Sequence, residues 1–174
     1  MQFKRGDLFF IMHHESGISK LIAWAMSSQW SHCGLVYDSS LMQDYTLETN
    51  SYCVTHGTMR DYLNDPNVTM EVYRPECDGQ MLNYGVEEAR HKLYGAVYGY
   101  FQLLSLGIRR LFMQFKFKIH NFIRQSVVCC HVVGYAYKAA RVMGFESIDP
   151  EGFDTEELYQ KVKASNQFRQ VFKK

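Results

Sequence analysis

With only 3 prolines in 174 residues, no low-complexity tract and no internal repeat, the chain lacks the marks of a disordered or repetitive protein. It also lacks a long hydrophobic run. No uninterrupted apolar stretch approaches the ~20 residues that span a bilayer. The apolar run LFFIM near the start is too short for a cleaved signal peptide. Those two absences imply a cytoplasmic protein, at most peripheral to a membrane. Excess charge of one sign is missing too: 19 basic against 18 acidic residues leave a formal net charge of +1, so no general field favours nucleic acid as a partner. Five cysteines, an odd number without regular spacing, exclude a disulfide framework built from all of them and fit a reducing compartment.

Aromatic residues are plentiful at 15%, and a chain of this length fits one domain, residues 1–174, around one core. GDLFFIMHH reads as a first strand entered by a Gly-Asp turn. Ser16 can cap a short helix whose Ile18, Leu21, Ile22 and Ala25 recur at helical spacing. WSHCGLVYD, Trp30 to Asp38, alternates as a strand with Cys33, Leu35 and Tyr37 on one face and His32, Gly34 and Val36 on the other. TLETNSYCVTHG supplies one or two strands and TMEVYRP another, so an antiparallel meander is expected.

From about Asp78 the pattern turns helical, with Val86, Ala89, Leu93 and Val97 at three- and four-residue steps. Leu106 to Gln125 mixes aromatics with Arg109, Arg110, Lys116, Lys118 and Arg124. That basic amphipathic segment could rest on an anionic membrane surface or pack on the core with a solvated basic face. VVCCHVVGYAYKAARVMG reads as a helix closing on Gly144, and Thr155 is a candidate cap for a last short helix before a basic end. The expected class is α+β, strands first and helices after.

The adjacent Cys129 and Cys130 are too close in sequence for an unstrained disulfide, and they lack the C-x₂₋₄-C spacing and second ligand pair of a zinc site. A buried cysteine is commonly a small hydrophobe. At the start of a helix, however, a thiol meets unpaired amides and the positive end of the helix dipole, which lower its pKa and can hold an oxyanion. His32 is the candidate base, and Glu48 in TLETN is the nearest strand carboxylate able to orient it. Read plainly, His32 is a half-buried strand histidine and Glu48 a solvent-facing one. His13, His14, His56, His91 and His120 show no partner pattern, and Cys33, Cys53 and Cys77 read as packing thiols.

The order GDLFF, WSHCGLVYD, TLETN, YGYFQLL and VCCHVVGYAY resembles the circularly permuted NlpC/p60 (papain-like) cysteine peptidase superfamily. The likeness is to its YiiX/YaeF-like branch, also found in poxviruses. That branch shows GD before an apolar run, WSHVGI, a strand with EA or ET, a YDYFGLL-like stretch, and a cysteine in CSELV opening a helix. The blocks span residues 6 to 145, and WSH-x-G is the most specific. The resemblance implies an antiparallel barrel-like sheet packed against helices. It also implies acyl transfer with Cys129 as nucleophile, His32 as base and Glu48 as its orienting group. It places Trp30, Gly34, Tyr98 and Tyr100, with Cys130 and His131, around the substrate.

His131 departs from the pattern, which has glutamate there, and a one-residue shift of the alignment would choose Cys130 instead. The implied substrate is an amide or ester of a lipid, lipopeptide or peptide, cut by water or passed to another acceptor. No cofactor and no metal is implied. Two other readings stay open: a binding or host-interaction module that keeps the fold without the chemistry, and a metal-binding regulator using Cys129, Cys130, His131 and His32.

Overall fold

The computed structural model describes residues 2–39, 43–99 and 126–174. Two of the segments singled out above, Leu106 to Gln125 and the part of YGYFQLL that begins at Tyr100, lie outside the described residues. Strands β1 (Leu8–His13), β2 (His32–Ser39), β3 (Asp44–Thr49), β4 (Val54–Thr58), β5 (Val68–Pro75) and β8 (Phe168–Lys173) form one antiparallel sheet. Its order is β4-β3-β2-β1-β5-β8, so the first four strands are the expected meander. Among the described residues β4 and β8 are its edges, and hydrogen bonds do not close it into a barrel.

Between strands lie helices α1 (Gly17–Ala25), α2 (Met59–Asn64), α3 (Gly79–Leu93), α4 (Cys129–Ala139) and α5 (Thr155–Ala164). A short parallel pair, β6 (Val97–Tyr98) and β7 (Ser126–Val127), stands apart from the main sheet.

Side chains alternate across the sheet, and β1 and the middle of β2 and β5 are buried on both faces, whereas the edge strand β8 is largely exposed. Leu8, Phe10, Cys33, Leu35 and Leu47 pack with the buried faces of α3, α4 and α5. Phe9, Ile11, Val36, Met70 and Val72 form a second cluster on the other side with Met59 of α2. The faces of β2 therefore divide as its alternation predicts.

The Gly-Asp turn before β1 is a structural joint. Gly6 takes φ +83, a left-handed conformation that favours glycine, and its carbonyl accepts from the buried Tyr137 hydroxyl of α4 at 2.9 Å. Asp7 is fully buried and paired with Arg74, whose Nε and Nη2 donate at 2.8 and 2.7 Å. One buried carboxylate thus ties the entry of β1 to β5.

Several sequence expectations end differently. Helix α3 stops at Leu93, and Val97 is an exposed strand residue; Cys53 and Val54 meet that segment in its place. α4 ends at Ala139, well before Gly144, because Arg141 takes the left-handed turn at φ +54 and Val142 bonds back to Tyr137. Asp154, not Thr155, caps α5: its carboxylate accepts from Glu157 N–H while the Glu157 carboxylate accepts from Asp154 N–H. The basic end is strand β8, and α2 went unread.

Candidate functional site

His32 opens β2, and two residues on, Gly34 pairs with Glu48 of β3. The pleat therefore brings His32 and Glu48 to one face, one diagonal step apart. His32 Nε2 donates to Glu48 Oε2 at 2.7 Å. Glu48, although buried, is well supplied with donors: Thr46 reaches its Oε1 and the Tyr62 hydroxyl of α2 its Oε2. Those bonds, His32's first among them, hold its carboxyl below the usual range against the opposing effect of burial.

Two glycines make room for this carboxylate. A Cβ on Gly57 would lie 2.2 Å from Glu48 Oε1, and one on Gly34 would lie 2.5 Å from Phe9 Cζ and 2.9 Å from Glu48 Cβ. The space at Gly34, expected above to admit substrate, is filled by Phe9 and Glu48.

With Nε2 committed to Glu48, Nδ1 of His32 is left for the thiol of Cys129, the first residue of α4. Hydrogen bonds from the Cys130 and Cys33 thiols, then the hydrogen bond and charge of His32, outweigh burial and hold Cys129 well below an ordinary thiol. Burial lowers the His32 pKa, but its bonds to Cys129 and Glu48 prevail and push it up to about 10. The two shifts agree in direction, each favouring the charged form of its group, His32 protonated and Cys129 deprotonated.

Thr155 Oγ1 lies 3.6 Å from Cys129 Sγ, so the threonine expected to cap α5 faces the sulfur instead. Val128, the N-cap of α4, is apolar and offers no side-chain acceptor to the first-turn amides.

Cys130 lies beside Cys129 but also reaches the backbone. Its thiol donates to Phe153 O at 3.2 Å, and burial pushes its pKa up. His131 Nδ1 accepts from Val128 N–H at 3.5 Å, the place a glutamate takes in a capping box. Burial presses the His131 pKa down to about 4, so the ring is neutral, and its Nε2 has no partner among the described residues. Trp30 is a core residue, 3% exposed between Phe10 and Tyr159, rather than a wall of the site.

A cavity of about 440 Å³ opens onto His32 and Glu48. Thr49, Thr55 and His56 of the sheet line it with Tyr62 of α2 and Tyr98 of β6, and Ile18 and Ile22 of α1 add an apolar side. The Thr49 hydroxyl is buried there with no partner among the described residues. His13 and His56, which show no partner pattern in the sequence, also line it; His13 is paired with Asp65 at 2.9 Å, and His56 lies between the rings of Tyr37 and Tyr94. Cys129 is 3% exposed and is not among the lining residues. Tyr100 lies outside the described residues.

Thr46 was not singled out, although its place two residues before Glu48 in one strand puts both on the same face. Tyr62, Gly57, Cys33 and Thr155 reach the site only through tertiary packing, which no local spacing announces.

A scan against protein-family models finds no match, and a search of curated proteins finds none. Among solved structures, the chain is similar to the crystal structure of YiiX from Escherichia coli O157:H7, described as a metalloprotein. The TM-score is 0.63 at 17% sequence identity, covering 100% of this chain and 99% of that one. A likeness at that identity shows the fold: an α+β architecture with a six-stranded antiparallel sheet against helices.

Proposed function

We propose that the protein is a thiol hydrolase or acyltransferase that opens an amide or ester through Cys129, with His32 as acid and base and Glu48 as the group that orients it. One observation carries the reading. His32 is bonded at 2.7 Å to a buried carboxylate through Nε2, which leaves Nδ1 for Cys129, a thiol held below its ordinary range at a helix start.

The thiolate attacks the acyl carbon, forming a C–S bond as the carbonyl electrons move to oxygen. The first-turn amides of α4 meet that oxyanion. Collapse expels the amine or alcohol, which takes the proton of His32, and leaves a thioester. Neutral His32 then removes a proton from water, or from an acceptor amine or alcohol, as that group attacks. Loss of the acid or the new ester or amide returns Cys129 as thiolate and His32 as imidazolium. Glu48 keeps Nε2–H fixed throughout.

The metalloprotein description of YiiX leads to no step here. His32 Nε2 is bonded to Glu48, and no three or more His, Cys, Asp or Glu among the described residues are grouped to hold a metal ion.

Incubation with p-nitrophenyl butyrate and intact-mass analysis tests the proposal. One butyryl group on Cys129, absent from Cys129→Ala and from His32→Ala, is the expected result. Acylation at Cys130, or neither an adduct nor nitrophenolate release, contradicts it. A second reading, a binding module that keeps the fold, draws on the 3% exposure of Cys129 and its absence from the cavity lining; it expects no acyl adduct.

A further inference from the structure

Helix α1 carries GISKLIAWA, in which Lys20 is the sole charged residue. Its apolar repeat suggests a face buried in the core, yet Ile18, Leu21 and Trp24 are 67, 61 and 65% exposed. Ala23 and the cap residue Met26 do the anchoring. Spaced three apart, the outer three make a continuous apolar stripe over two turns, ending in an aromatic ring.

The stripe is continuous with the candidate site. Ile18 belongs both to it and to the wall of the cavity that His32 and Glu48 line, and Ile22 extends that wall inward. Ser16, whose side chain caps the helix, and Ser19 add hydroxyls to the same wall. An apolar stripe of Ile, Leu and Trp with one lysine and no acid suits the boundary between anionic headgroups and acyl chains.

We propose that α1 docks the protein on a phospholipid bilayer, Ile18, Leu21 and Trp24 entering the acyl boundary, so that the cavity opens toward a bilayer-resident amide or ester. The substrate class rests on the thiol chemistry proposed above; the docking does not. Other exposed apolar residues, such as Tyr52 and Met143, are not part of this stripe.

The chain has two tryptophans, and Trp30 is already buried, so Trp24 reports on its own surroundings. The full chain carrying Cys129→Ala is mixed with vesicles of phosphatidylcholine and phosphatidylglycerol, and emission and co-sedimentation are read. Expected are a blue shift that Trp24→Phe abolishes while still sedimenting, and partitioning at least about tenfold weaker in Ile18→Glu/Leu21→Glu. Circular dichroism establishes that the double variant is folded.

Three results overturn the proposal: no sedimentation with either lipid, sedimentation that the double variant keeps, or a vesicle-independent dimer that Leu21→Glu dissolves. Since the vesicle assay uses a chain without the thiol, bilayer binding without acylation of the wild type removes the thiol chemistry and keeps the docking. Acylation without bilayer binding does the reverse.

Discussion

Helices α1 and α4 look alike in sequence, both short, apolar and nearly uncharged, yet the fold treats them oppositely. In α4 the run Cys129 to Gly134, with Ala136 and Tyr137, is buried, and Gly85 of α3 comes so close that a Cβ there would lie 2.3 Å from Ala136 O. In α1 three large apolar side chains face outward. Apolar periodicity states that a face favours burial, but not what will bury it. For α4 the partner is the chain's own sheet and α3; for α1 it is not found among the described residues.

The contrast breaks most directly on stability. Tyr137→Ala removes a fully buried ring and its bond to Gly6 O, and should cost about 3–5 kcal/mol. Leu21→Ser should change stability by no more than about 0.5 kcal/mol. Denaturant midpoints at equal m-value measure both, and equal losses would mean that α1 is core after all.

Next is the first turn of α4, which the sheet serves through His32 and Glu48. Glu48→Gln keeps the shape but loses the charge that holds the imidazolium. It should slow acylation by p-nitrophenyl butyrate on the order of a hundredfold or more, while Leu21→Ser leaves that rate unchanged. Stopped-flow release of nitrophenolate reads the difference.

A third test uses pH. His32 has a folded pKa of about 10, above its ordinary 6.5, so its stabilising contribution is full below 6.5 and lost as pH rises through 10. The stability gap between wild type and His32→Gln should therefore narrow across that interval. A gap that widens would place the proton elsewhere.

The smallest effect concerns His131. Unfolded, it binds a proton below about 6.5, whereas folded it refuses one until about 4, so falling pH destabilises the protein over that range. His131→Gln keeps an acceptor for Val128 N–H and removes this term. Its unfolding midpoint should fall less between those pH values than that of the wild type.

The legible parts were those where local pattern and tertiary role coincide. Alternation in WSHCGLVYD separated the two faces of β2 because both faces are buried by different partners. Ser16 was readable as a cap because its hydroxyl meets Ser19 N–H within one turn. β8 hid because an edge strand with a register shift and charged residues shows no clean period. Thr155 was misplaced because Asp154, one residue earlier, is an equally good cap and completes a capping box with Glu157. The support for Glu48 from Tyr62 could not be read at all: it depends on α2 folding back across the sheet.

The central claim concerns the state of one sulfur. Iodoacetamide alkylation of Cys129, followed by peptide mass spectrometry from pH 4 to 10 in the wild type and in His32→Ala, tests it most directly. The account predicts alkylation well below the ordinary thiol range, about 8.5, and a return toward that range without His32. A Cys129 that titrates as an ordinary thiol in both proteins, or label that falls on Cys130, would contradict it.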